Sequence, residues 1–184
     1  AQEDQLRELA RRAANERMAE QRERDDGPSA AIDAAELGGR LRAQALSFGD
    51  GTAGGFGDQS KFPMAPNLEA LLSLQTRGPD ADLAELLTAT LDAIMRLGLR
   101  DHLGGGFFRY TVDPDWHTPH FEKMLYDQAL LVPLYLRTSG VLDRPGYRAV
   151  AREALDFMAR EFRGDGGGLI SSLYALDDKD VHRV

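Results

Sequence analysis

The sequence contains no cysteine, which excludes disulfides, thiolate nucleophiles and Cys-ligated zinc while leaving the redox compartment open. It also lacks any apolar run near the ~18 residues that a membrane-spanning helix needs. Positive charge is scarce: 22 Lys and Arg stand against 30 Asp and Glu, for a net charge of -8. Such a surface repels phosphate backbones and anionic lipid, and beyond residue 24 no basic cluster offsets it. Neither nucleic acid nor membrane is therefore expected as a partner. The chain opens AQEDQL, without an initiator Met or an apolar signal core, and reads as an excised piece of a soluble protein, cytoplasmic rather than secreted. With 42% hydrophobic and 28% charged residues over 184 positions, it has the composition of one globular domain.

Strand signals are nearly absent and helical spacing dominates. Residues 1–24 are rich in Arg, Glu and Ala, with Leu6, Leu9 and Ala13 at helical spacing but polar residues on every side, which predicts an exposed helix. AspAspGlyProSer at 25–29 breaks it, so residues 1–29 read as a charged linker and 30–184 as the folded domain. A helix from Ala30 to Leu46 comes next, with Ile32, Ala35 and Leu41 on one side. The sequence then repeats itself. Gly54-Gly55-Phe56, Gly105-Gly106-Phe107 and Gly167-Gly168-Leu169 each come after a helical pattern, with 51 and 62 residues between successive second glycines. Two helices fit each interval: one capped by Asn67 and one by Asp80, then one started by Thr118-Pro119 and one preceded by Asp143 and marked by Tyr147, Ala151, Leu155, Met158 and Phe162. This period predicts an all-α array of αα-hairpins, with apolar inner helices (119–136) and charged outer ones (144–162). The last unit stops at Val184, which predicts an open end with apolar faces uncovered there and near Ile32.

Two stretches, GGFGDQSKFPMAPNLEALL at 54–72 and GGGFFRYTVDPDWHTPHFEKMLYDQALL at 104–131, resemble the spermatogenesis-associated protein 20-like family. Members of that family join an N-terminal thioredoxin-like domain to a six-hairpin (α/α)6 toroid similar to that of N-acylglucosamine 2-epimerases. The resemblance covers roughly residues 30–180 and implies a partial (α/α)6 toroid, with a thioredoxin-like domain as a partner in the full-length protein. It implies fold more than activity, because the epimerase label of such toroids is itself an analogy. Where the family runs on after Gly168 into a Ser-Ala-x-Asp-Ala-Asp-like stretch, this chain has SSLYALDDKD at 171–180, so Asp177 and Asp178 receive no role.

Within HTPHFEKMLYDQALL at 117–131, four ionisable residues interrupt an apolar run. On a helix begun at Pro119, His120, Lys123, Met124 and Asp127 share one side while Glu122 and Tyr126 lie on another. Lys123 and Asp127, at i and i+4, are then spaced to pair. One reading has these charges locking the inner helices in register; the other has them lining a wet cavity. The preceding loop brings Arg109, Tyr110, Asp113, Asp115, Trp116 and His117 together in nine residues. An aromatic platform with Arg and carboxylates suits a sugar or polyol, the alternative being a solvated turn anchored by a packed Trp. Arg109, Tyr110, Asp115, Trp116, His117, Lys123 and Tyr126 are thus the expected carbohydrate contacts, and His120, Glu122 and Asp127 the expected catalytic groups.

Two chemistries remain open. Epimerisation beside a carbonyl needs a base and an acid on opposite faces, posts that His120 with Glu122 or His117 would fill. Glycoside cleavage needs two carboxyls about 5–9 Å apart, such as Glu122 with Asp115 or Asp127. A non-catalytic binding or scaffold module attached to a thioredoxin-like domain is the reading from another class. The GDGGG loop at 164–168 lacks a preceding strand and a Lys-Ser/Thr partner, so phosphate is not expected. His117 and His120 straddle a predicted helix start, and neither a metal nor another cofactor is expected.

Overall fold

In the computed structural model the described residues are Arg12 and residues 33–174. The expectations for the remainder of the linker helix, for Ile32 and for Asp177 and Asp178 lie outside them. Contacts divide the chain into Ala1–Leu37 and Gly38–Val184, and the second unit holds the helical array.

Among residues 33–174 there are five helices: α1 (Ala34–Phe48), α2 (Ala65–Arg77), α3 (Ala81–Arg96), α4 (Leu125–Val141) and α5 (Gly146–Glu161). Four two-residue strands accompany them: β1 (Tyr110–Thr111) pairs with β2 (Pro119–His120), and β3 (Lys123–Met124) with β4 (Ser172–Leu173), both antiparallel. Helices α2 and α4 pack on each other, α3 backs onto α2, and α5 backs onto α4. This is the expected two-layer array, with α2 and α4 inside.

The helices arise from residue spacing. Asp80 caps α3 by accepting the Leu83 amide at 3.1 Å, and Leu83, Leu87, Leu91 and Ile94 form its buried stripe. Asn67 does not cap α2, which starts at Ala65 after Met64 in a left-handed conformation. Pro66 explains the earlier start, since a proline needs no amide partner in a first turn. In α5 the buried stripe is Tyr147, Val150, Ala151, Ala154 and Phe157; Leu155 is 47% exposed because it lies about 100° from the centre of that stripe on a regular helix. Inner helix α4 buries Leu131, Val132, Leu134 and Tyr135 together with Asp127, Gln128, Thr138 and Ser139. Its Tyr135 hydroxyl donates to the Leu91 carbonyl at 2.8 Å, tying the second hairpin to the first.

The three glycine loops are built alike. Each closes with an antiparallel bridge: Gly49 to Phe56, Arg100 to Phe107 and Arg163 to Leu169. In the first loop Asp50 Oδ1 accepts the Thr52 and Ala53 amides, and in the second Asp101 Oδ1 accepts those of Leu103 and Gly104. The second Asp oxygen of each loop holds a buried lysine: Lys61 Nζ on Asp50 at 2.8 Å and Lys123 Nζ on Asp101 at 2.6 Å. Lys61 bridges to Thr111 in the next unit, and Lys123 pairs with Leu173 beyond the third loop. The three loops therefore lie side by side at one end of the helices.

Gly55 and Gly106 hold equivalent positions, at φ 76° and 73°, a region that side chains rarely adopt. A Cβ on Gly106 would stand 2.3 Å from the Phe157 ring. Gly106→Ala is expected to destabilise the chain by about 2–4 kcal/mol, combining left-handed strain with overpacking, as read by urea unfolding. A loss below about 0.5 kcal/mol, the size of an ordinary surface change, would contradict this packing.

One boundary differs from expectation. The inner helix begins at Leu125, not at Pro119, and residues 119–124 are extended. Longer-range pairing explains the difference: Pro119 and His120 are taken by Thr111 and Tyr110, Lys123 and Met124 by Leu173 and Ser172, and the Leu125 amide by the Ser171 carbonyl at 2.9 Å. Backbone groups already paired in a ladder have no vacancy for a helical turn.

Candidate functional site

The bridge from Lys61 to Thr111 adds a third short segment to the β1–β2 pair. Side chains alternate across such a ribbon, and Lys61 and Thr111 are fully buried on its inner side. Its outer side carries Phe62, Tyr110 and His120. Their rings stack in order, with centroids 4.7 Å apart from Phe62 to Tyr110 and 4.9 Å from Tyr110 to His120, and planes within 15°. Phe62 is 42% exposed and His120 is exposed.

One residue further along, the Arg109 amide donates to the Glu122 carbonyl at 2.8 Å, and Arg109 Nη1 donates to Glu122 Oε2 at 2.9 Å. Glu122 is buried, as is Asp127 in the first turn of α4. Asp127 Oδ2 and Arg109 Nε are both buried without a hydrogen-bond partner among the described residues. Burial pushes the Asp127 carboxyl up to about 7, with Arg109 opposing and Glu122 reinforcing the shift. The Glu122 hydrogen bond, with the neighbouring Tyr126 hydroxyl, raises the Arg109 guanidinium further. A fixed cation, an engaged carboxylate and an unengaged carboxyl near neutrality thus share one environment.

The structure separates the other expected site residues. Lys123 does not pair with Asp127; with helix α4 starting at Leu125, the two never stand one turn apart. Lys123 instead reaches Asp101 and the Gly105 carbonyl, and its ammonium lies 4.8 Å and 4.4 Å from the Phe108 and Phe157 ring centroids. Trp116 is fully buried, so it offers no open platform. Its Nε1 donates to the Ala53 carbonyl at 3.0 Å, and its ring packs against Gly55, making it the anchor between the first and second loops. Asp115 and His117 are exposed on a turn that Asp113 organises by accepting the Asp115, His117 and Thr118 amides. Although burial pushes the Asp113 carboxyl up, those amides bring it down to about 2. His120 and Glu122 occupy different surroundings, the first in the exposed ring row and the second in the Arg109 ion pair, so they do not form an opposed acid and base. Phe62 is a member of the row that local sequence patterns do not single out, although its place directly after Lys61 in the first glycine motif is a usable signal. No three His, Cys, Asp or Glu side chains among the described residues come together as a metal-ligand set, and no described helix is long and apolar enough to cross a membrane.

Two hairpins with a shared loop end and a cluster at the start of an inner helix define the class: part of an (α/α)6 toroid. Solved structures agree on that fold. Cellobiose 2-epimerase from Spirochaeta thermophila DSM 6192 superposes with a TM-score of 0.64 at 19% identity, over 80% of this chain and 42% of the other. A sugar epimerase from a ruminal bacterium gives 0.65 at 12% over 76% and 39%, and a D-mannose isomerase gives 0.54 at 17% over 61% and 29%. At these identities the likeness is one of fold.

Sequence identity is higher with human spermatogenesis-associated protein 20, 38% over 133 residues, which is 69% of this chain and 16% of that protein. Uncharacterized protein B0495.5 of Caenorhabditis elegans is 35% identical over 137 residues, 71% of this chain and 18% of that protein. The resemblance to the spermatogenesis-associated protein 20-like family is thereby shown over part of its toroid. The chain spans under a fifth of the length of these relatives. No family model matches it.

Proposed function

We propose that this segment carries the acid–base site of a carbohydrate-active toroid, and that the reaction is proton transfer at the carbon beside a sugar carbonyl, of the kind that epimerases and isomerases perform. The observation that carries the proposal is Asp127: a buried carboxyl with an unpartnered Oδ2, poised near neutrality, beside a guanidinium. In this reading ionised Asp127 takes the proton from C2 of an open-chain aldose. Arg109 stabilises the negative charge that develops on the carbonyl oxygen, and the same carboxyl returns the proton to C1, leaving a ketose. One unengaged acid–base group suffices for that isomerisation. Glycoside cleavage needs two carboxyls, and Glu122 is already committed to Arg109. The Arg109–Glu122 pair then serves to hold the cation in place.

The test uses the intact protein, incubated with mannose or glucose in deuterated buffer and monitored by proton NMR. Ketose formation, with deuterium entering at the carbon that receives the proton, is the expected result. If neither ketose nor deuterium exchange develops with any aldose tried, the site is a binding or scaffold module instead.

A further inference from the structure

The ring row of Phe62, Tyr110 and His120 has no part in proton transfer at Asp127. It runs across three ribbon segments, a span of roughly 10 Å at two strand spacings, while the Arg109–Glu122 pair lies one residue further along the same ribbon. A single pyranose seated on the charged cluster cannot also cover the row. Stacking occupies both faces of Tyr110 and leaves Phe62 and His120 as the exposed ends. Apolar packing alone would favour rings turned inward, as the buried Phe107 and Tyr135 are in the core. Here the ribbon turns three in succession outward, beside two buried polar atoms with unfilled hydrogen-bonding capacity.

A ligand that satisfies both features needs an apolar face for the rings and hydroxyls for the polar atoms. A sugar presents that combination, with C–H groups on its ring face and hydroxyls at its edge. A purely apolar side chain of a partner protein would leave Asp127 Oδ2 and Arg109 Nε unsatisfied.

We infer that the row Phe62–Tyr110–His120 is a second carbohydrate subsite, so that the substrate class is an oligosaccharide whose reducing unit enters the Arg109–Asp127 cluster while its neighbouring unit lies on the rings. This rests on the carbohydrate reading of the Asp127 site. It replaces Trp116 as the platform and moves His120 from acid–base work to binding.

The experiment is calorimetric titration of the intact protein with glucose and with its α- and β-linked 1,4-disaccharides. At least one disaccharide is expected to bind about tenfold more tightly than glucose, and Phe62→Ala and His120→Ala are each expected to bring that ratio down to about one. Phe62→Tyr keeps a ring and restores the ratio, which separates stacking from misfolding. Equal affinity for glucose and both disaccharides, or a preference that survives both alanine changes, overturns the subsite. If glucose is bound and isomerised in either of those cases, only this inference falls. If no sugar is bound or turned over, the reading of the Asp127 site falls with it.

Discussion

Asp50→Ala is expected to cost about 3–5 kcal/mol, because it strands an ammonium that is fully buried. Lys61 has no exposed side-chain surface and donates to Asp50 Oδ2 at 2.8 Å and to the Gly57 carbonyl. Removing one partner of such a pair leaves an uncompensated charge inside, the costly half of the buried ion-pair asymmetry. The double change Asp50→Ala with Lys61→Met should recover much of the loss, since no charge then remains to be desolvated. Acid should mimic the single change. The Lys61 hydrogen bond, aided by the Ala53 amide, holds the Asp50 carboxyl at about 2, below its unfolded value of about 3.9. Its contribution is therefore complete above about pH 4 and is lost as pH falls through about 2. Urea unfolding at pH 7 and at pH 2 would show a wide parent–variant gap that narrows in acid. A gap within about 1 kcal/mol at pH 7, a small part of the stability of an ordinary domain, would remove the clamp as a source of stability.

Asp127→Asn should lower the rate of proton transfer by roughly 10²–10⁴-fold, the usual worth of a positioned general base, while leaving the backbone in place. The same change should stabilise the protein in alkali. The Asp127 carboxyl is raised in the fold, so the stability linked to its neutral form is present below its unfolded pKa and is lost as pH rises through about 7. An amide cannot ionise, and the variant should overtake the parent above that pH. Thermal unfolding from pH 5 to pH 9 checks the second half of the prediction. Exchange kinetics check the first: an Asn variant within tenfold of the parent rate would take Asp127 out of the chemistry.

Much of this arrangement is legible in the residues. The recurrence of Gly-Gly-Phe marks the hairpin period, Asp80 announces a cap that the structure uses, and the contrast between apolar and charged helices separates inner from outer. Local rules fail at 119–124, where Thr118 and Pro119 offer a good helix start but the decisive partners are Thr111, Tyr110 and Ser172, up to about fifty residues away. The same blindness to distant partners makes Trp116 look like an open platform, when the carbonyl that its indole needs belongs to Ala53. The charges at 117–131 pose a choice between pairing and lining a cavity. The structure divides them: Lys123 pairs with Asp101, while Asp127 keeps an unpartnered oxygen.

The two Asp–Lys clamps close intervals of different length, 11 residues from Asp50 to Lys61 and 22 from Asp101 to Lys123. The anchors are alike at both sites, yet the chain between them has doubled in one unit without moving the helix that comes next. That makes each clamp a socket: its rim is set by one carboxylate and one ammonium, and the insert it frames is free to lengthen and change composition. In the second unit the insert is what supplies Arg109, Tyr110, His120 and Glu122. New specificities in such a ring need no new scaffold, and exchanging residues 102–122 between relatives, with Asp101 and Lys123 retained, is a route by which recognition would be transplanted as a module.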